Sequence, residues 1–383
     1  MSFEFSQLQG QALERTYHWF DNDSVDQQVF KIFGYAGSGK TTLATEIANN
    51  LGRGVMAATF TGKAALVMKK KGFPSTSTIH SLIYKVEDQE VDVIDKKTGK
   101  PTGEKRKEPV FTLNNESPLF DAKLLIVDEM SMVGEELARD LLSFEVPILV
   151  LGDPGQLPPI KGAGYFIAGT PDVMLTEIHR QALENPIIRM SMDIRTGKGV
   201  KPGKYNDSRV IRKAQLDLSV DLNTADQVLC GRNATRRQFN LQMRALKGFN
   251  LPFQPMEGEK LICLRNNREK GLLNGGMWKV LASPKLDGEF AELKLESLDI
   301  PGQKCDARVP MEFFKGDEDK IPYAKRRKGD EFDFGDCITV HKSQGSQWSN
   351  VLIFNENYCF REDGLKWLYT AVTRAADRLT LAI

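Results

Sequence analysis

Gly34-Tyr-Ala-Gly-Ser-Gly39-Lys40-Thr41 has the residue types and spacing of a phosphate-binding loop. Its glycines let backbone N–H groups wrap the β- and γ-phosphates of a nucleoside triphosphate. Lys40 adds a point charge, and the Thr41 hydroxyl takes a position on Mg²⁺. Gly34, Ala36, Gly37, Ser38, Gly39, Lys40, Thr41 and Thr42 form the expected nucleotide-binding set. Asp128-Glu129 offers complementary chemistry. The aspartate can hold Mg²⁺ directly or through water, and the glutamate can take a proton from an attacking water. Gln156, within Gly152-Asp-Pro-Gly-Gln-Leu-Pro-Pro159, can sense the γ-phosphate or orient the lytic water. Gln9 offers an amide to an adenine edge.

Each group needs an element to place it. The apolar run Val29-Phe30-Lys31-Ile32-Phe33 reads as a buried parallel strand delivering the loop. Leu43, Ile47 and Leu51 recur at helical spacing after it, until Gly52 and Gly54 break the pattern. The helix N-terminus adds favourable charge at the phosphates. Leu124–Val127 reads as a second strand that delivers the acidic pair at its C-terminal end, where ligands bind open parallel sheets. Pro147–Leu151 reads as a third, leading into the Gln156 run.

The composition narrows the class. A chain of 383 residues holds two or three compact units, each with its own core. Its 52 Lys and Arg against 51 Asp and Glu leave any basic surface local. Its five cysteines are scattered and form no C-x-x-C pair, which argues for a reducing compartment and against a zinc site. Without a signal-peptide pattern or an apolar run of bilayer length, the expectation is a soluble cytoplasmic protein with no membrane partner.

The motif series resembles the superfamily 1 helicases, in the RecD-like branch that includes the phage Dda helicases. The matches run in family order: Gln9, Gly34–Thr42, Ala57–Ala65, Ser77–His80, Asp128-Glu129, Gly152–Pro159 and Leu175–Arg180. They continue with Gly335–Gly345 and Leu368–Ala375, a downstream set that ordinary P-loop enzymes lack. The resemblance implies an α/β fold of two RecA-like lobes, with ATP between them and single-stranded DNA crossing both. It implies a catalytic set of Lys40, Glu129, Gln156, Arg180 and Arg374, the two arginines reaching the γ-phosphate across the cleft. A planar guanidinium suits that task, because it bridges two phosphate oxygens. Gln344 and Gly345 would line the same cleft.

A translocating enzyme should read backbone rather than base edges. The resemblance gives Thr61, Lys63, Thr78 and His80 in the first lobe, and Thr339, His341 and Lys342 in the second, as strand contacts; Arg232 and Asn233 join them. No aromatic residue is singled out for base stacking. Phe60 stands where the family usually has proline, and Gln347 where glutamate is frequent.

Two insertions are expected. Val86–Ile94 and Lys105–Thr112 read as arms of a hairpin around a Gly/Pro/Lys turn, matching the family's strand-separating pin. No aromatic occurs from Val86 to Glu108, which favours a steric wedge over a stacking tip. From Asn274 to about Lys328, period-two alternation suggests a small SH3-like β-barrel. The expected layout is lobe 1A over residues 1–85 and 113–182, a pin over 86–112, lobe 2A over 183–273 and 332–383, and the barrel over 274–331.

The resulting expectation is an ATP- and Mg²⁺-dependent DNA helicase moving 5′ to 3′ on single-stranded DNA in replication, recombination or repair. It would act as a monomer at duplex/single-strand junctions, beside partners such as a single-strand-binding protein. Alternatives are a DNA or RNA translocase that strips bound proteins, an ATP-gated strand clamp, and a subunit of a recombination complex.

Overall fold

The computed structural model describes residues 5–73, 75–94, 101–158, 164–177 and 184–383. Arg180, Pro159 and the hairpin turn 95–100 therefore lie outside the described residues.

Two six-stranded sheets carry the architecture, each flanked by helices. In the first, the order is Thr76–Thr78, Val55–Thr59, Leu124–Asp128, Ile148–Gly152, Val29–Gly34, Val173–Leu175, every neighbour parallel. The second runs Cys337–Thr339, Gln227–Cys230, Trp348–Phe354, Ala375–Ala382, Ser208–Ile211, Gly203–Tyr205, and only its last pair is antiparallel. This is an α/β, RecA-like fold. Parallel sheets need cover on both faces, and the strands read accordingly: Ile148–Gly152 is buried throughout.

The helix Lys40–Leu51 shows how sequence makes one such cover. Leu43, Ala44, Ile47 and Ala48 share a buried face, and the Leu43 and Ile47 side chains each contribute about 2 kcal/mol by leaving water. Gly39 (φ 77°) starts the helix and Gly52 (φ 70°) ends it, both in backbone that L side chains avoid.

A third, antiparallel sheet takes in Phe290–Ser297, Met277–Val280 and Lys304–Pro310. It extends past residues 274–331, since Lys260–Cys263 and Phe332–Phe334 pair into it as well. The arms Tyr84–Ile94 and Pro101–Leu113 form a separate two-stranded ladder in register from Tyr84 opposite Leu113. The basic run Lys325–Lys328 falls on and just after the short helix Tyr323–Arg327, where Lys325 is paired with Glu289 and Glu312 and Arg326 with Glu331. Among the described residues no helix is long and apolar enough to cross a membrane.

The helix Asn233–Leu246 is anchored by a residue that sequence reading passed over. Glu356 is fully buried and accepts hydrogen bonds from Gly231 N (2.8 Å), Arg232 N (3.0 Å), Arg232 Nε (2.7 Å) and Thr235 Oγ1 (2.6 Å). Burial alone would raise its pKa, but these bonds outweigh it and hold the carboxyl below the ordinary glutamate range. A depressed carboxylate stabilises the fold above its unfolded pKa and loses that effect as acid protonates it. Glu356→Gln can keep its oxygen on the Gly231 and Arg232 N–H groups only by turning its amide donor onto Arg232 Nε and Thr235 Oγ1, and should cost about 2–3 kcal/mol at neutral pH. Urea denaturation should show the gap between variant and wild type closing below the usual glutamate range; a gap independent of pH removes the carboxylate from the explanation.

Candidate active site

The strand Val29–Gly34 ends at the glycine-rich loop, and space at its edge is tight. A Cβ at Gly34 would lie 2.5 Å from Ser38 Oγ and 2.9 Å from Leu175 Cβ. Lys40 folds back over the loop, donating to the carbonyls of Gly34 (2.6 Å) and Tyr35 (3.1 Å). Thr41 lies within hydrogen-bonding reach of Asp128 and Thr42 faces solvent. Ser38 Oγ is buried with no partner, leaving a free polar atom inside the loop. Gln9 is buried: its amide donates to Ser38 O (3.1 Å) and its carbonyl accepts from Ser6 N (3.0 Å). It thus braces the loop from behind.

Two strands away, Asp128 and Glu129 close the Leu124–Asp128 strand. Glu129 takes a left-handed backbone (φ 59°), unusual for a residue with a side chain and worth about 1–2 kcal/mol of strain. Its N–H donates to Asp128 Oδ1 at 2.8 Å. Burial pushes both carboxyls up; for Glu129 the Arg374 charge opposes the shift, and for Asp128 its bond to the Glu129 N–H, then Lys40, do so. Two crowded acids beside a threonine hydroxyl are a hard-oxygen donor set that would suit a divalent cation.

These groups surround one cavity of about 240 Å³, and the second lobe closes it. Lys40, Thr41, Asp128, Glu129, Asp153 and Gln156 come from the first lobe; Gly345, Ser346, Gln347 and Arg374 come from the second. Arg374 is 6% exposed, its guanidinium donating to Thr370 O (3.1 Å), Ser346 O (3.2 Å) and Thr373 Oγ1 (3.2 Å). Gln156 Oε1 is buried without a partner. Gly345 (φ 73°) fits tightly against the first lobe, where a Cβ would come 2.8 Å from that of Ala64. Gln344 does not line the cavity; its amide donates to Leu157 O at 3.1 Å and holds the lobes together. Leu157 N in turn donates to Thr370 Oγ1 (2.9 Å), so the Gly/Pro-rich run docks into the second lobe's core.

The expected strand contacts fall at matching places in the two lobes. Thr61 and Thr78 follow or end adjacent strands of the first sheet, and Thr339 ends the corresponding edge strand of the second. Each threonine caps a helix, accepting from Ala64 N, Ser81 N and Lys342 N respectively. Lys342 is exposed with its ammonium 3.4 Å from Asn274 Oδ1, and Asn233 is exposed on the same lobe. Arg232 is tied to Glu356, leaving its outer nitrogens toward solvent. Lys63 departs from expectation. It is 7% exposed, paired with Asp299 at 3.2 Å and stacked over Trp348 at 4.9 Å, so it links the first lobe to the second instead of presenting a free cation.

The structure adds a row of rings. Phe60 and His80 (5.7 Å), His80 and Tyr84 (5.8 Å), and Tyr84 and Phe111 (6.1 Å) run from beside Thr61 to the hairpin base, and Phe111 is 65% exposed. In the second lobe His341 leans on Phe360 at 5.5 Å. The alternation of Phe60, His80 and Tyr84 with distant Phe111 left no periodic signal to find.

Comparison with known proteins agrees with this arrangement. A family profile described as an AAA domain matches residues 22–215, and one described as a UvrD-like helicase C-terminal domain matches residues 334–382. The ATP-dependent RecD2 DNA helicase of Deinococcus radiodurans is 27% identical over 378 residues, covering 90% of this chain and 45% of that protein. The chain thus spans less than half of that relative's length. The Pif1 helicase from Bacteroides in complex with ADP-AlF3 and ssDNA has a TM-score of 0.58 at 18% identity, over 99% of this chain and 92% of that one. The Pif1 helicase from Candida albicans has 0.54 at 17%, over 99% and 94%. At such identities the solved structures speak for the fold alone. The AAA-domain match covers half of the chain and the UvrD-like helicase match falls in the second lobe, so the protein belongs to the AAA-domain family and carries a helicase-type C-terminal lobe.

Proposed function

We propose that the chain is an ATP-driven DNA helicase that moves 5′ to 3′ along single-stranded DNA and parts duplex. One observation carries the reading: Lys40 and Glu129 from one sheet and Arg374 from the other border a single cavity. A site completed only when two lobes meet couples hydrolysis to their movement. The RecD2 relative is named a DNA helicase, and a related structure describes Pif1 helicases unwinding forked duplex DNA. The polarity rests on the resemblance to RecD-like enzymes.

In this reading Lys40 and the backbone N–H groups of the loop bind the β- and γ-phosphates. Thr41 and Asp128 would hold Mg²⁺, which would supply neutralising charge at the phosphates. Glu129 takes the proton of the attacking water, Gln156 orients that water, and Arg374 stabilises the transferring phosphoryl group with Arg180. Thr61, Thr78, His80, Thr339, His341 and Lys342 grip the strand backbone, aided by Arg232 and Asn233, while the ring row from Phe60 to Phe111 gives bases a stacking face. Lys63 joins them only when its pair with Asp299 opens. The two-stranded arms act as the duplex-parting pin, residues 274–331 form the core of an SH3-like module, and the protein works as a monomer at junctions.

The test is ATPase rate with single-stranded DNA, RNA or no polymer, then unwinding of duplexes tailed at either end. The reading predicts strong stimulation by DNA and unwinding from 5′ tails. Stimulation without unwinding from either tail makes it a translocase. Indifference to every polymer refutes the motor.

A further inference from the structure

Tyr369 belongs to the second lobe, on the helix Gly364–Val372, yet among the described residues its hydroxyl bonds only to the first. It accepts from the Ala36 backbone N–H at 2.8 Å and donates to Asp153 Oδ2 at 2.7 Å. The other Asp153 oxygen accepts from Gly155 N at 2.9 Å, which fixes the carboxylate's orientation. Gly155 is also what admits the ring, since a Cβ there would come 3.0 Å from Tyr369 Cε1. The tyrosine is 1% exposed, and burial beside the Asp153 carboxylate pushes its hydroxyl well above the usual range, so it stays a donor. A second group from the same lobe grips the neighbouring loop residue: the Arg195 guanidinium lies 3.4 Å from the centre of the Tyr35 ring. Both contacts fall on the first half of the phosphate loop, next to the Gly34 and Tyr35 carbonyls that Lys40 holds.

We propose that Tyr369 is a positioning residue, a latch that ties the phosphate loop and the Asp153 turn to the second lobe so that closing the cleft and delivering Arg374 are one movement. The geometry gives the reason. Arg374 directly follows Thr373, the C-cap of the Tyr369 helix. A helix held at the loop through Tyr369 presents its C-terminal end to the cavity in one pose; released from the loop, it can pivot and carry the arginine away. Asp153 matters through this bond, since its carboxylate is the fixed point against which the hydroxyl is held. The inference rests on reading the chain as a strand-stimulated ATPase.

Tyr369→Phe keeps the ring in its slot beside Gly155 and removes both bonds. Strand-stimulated kcat should fall about tenfold, because the arginine arrives less often in place, while the Kd for ATP stays within about twofold, because the first lobe holds the phosphates. Thermal unfolding monitors folding in parallel. Asp153→Ala should also lower kcat, and the double variant should lose less than the product of the two single losses, since both remove one shared bond. Wild-type kcat in Tyr369→Phe, losses that multiply, or equal falls in affinity and kcat with a lowered Tm would each overturn the latch. If wild-type turnover ignores single strands, the motor reading fails and the latch with it; if wild type responds and the variant responds equally, the latch alone fails.

Discussion

Glu129→Gln should abolish strand-stimulated ATP turnover while leaving ATP binding intact. The carboxylate lines the same cavity as Lys40, on backbone held in the left-handed region, and the other carboxylates among the cavity's described residues are Asp128 and Asp153. Asp128 is engaged with Thr41 and the Glu129 N–H, and Asp153 with Tyr369 and Gly155. Glutamine preserves size and removes the base, so the expected loss is about 10²–10⁴-fold in kcat. Binding of a fluorescent ATP analogue, measured alongside, should be unchanged. Stimulated turnover equal to wild type would assign the base elsewhere.

What could be read from the sequence was what is local to it. The phosphate loop, its strand and helix, and the acids at a strand end are contiguous patterns whose chemistry follows from spacing. Arg374 was reachable through a motif, although only the folded chain brings it to Glu129. The misses share a cause. Tyr369 and Ala36 are 333 residues apart, and nothing in either neighbourhood announces a bond between them. Glu356 reads as an ordinary loop acid until the helix Asn233–Leu246 is laid on it. Lys63 looked like a free cation because Asp299, its partner, belongs to a distant segment. Gln9 suggested base recognition from its position, whereas packing turns its amide onto Ser38. The two flanking strands that join the inserted sheet were hidden for a similar reason: Lys260–Cys263 and Phe332–Phe334 are short apolar runs equally suited to a parallel sheet, and only pairing decides.

The second large effect belongs to Arg374, and it separates catalysis from coupling. Arg374→Ala should lower stimulated kcat about 10³-fold or more, the range of arginine fingers that stabilise phosphoryl transfer. Nucleotide affinity should change far less, since the loop lies on the other sheet. The side chain also serves its own lobe through Thr370 O and Ser346 O, so alanine strands buried acceptors and lowers stability. Arg374→Lys guards against that confusion: it keeps a charge in the cavity but loses the planar fork that spans two phosphate oxygens. A lysine variant that folds like wild type and still turns over slowly places the defect in the transition state. A further readout follows from the arginine's origin in the second lobe. Wild type should change its grip on single-stranded DNA when a non-hydrolysable ATP analogue binds, because on the proposed reading closing the cleft would move the lobes that hold the strand. Without the arginine, nucleotide in the first lobe has less to pull on, and that change in strand affinity should shrink. If both variants turn over normally, or if slow turnover leaves the nucleotide-dependent grip untouched, the cavity between the lobes is not where hydrolysis is converted into motion.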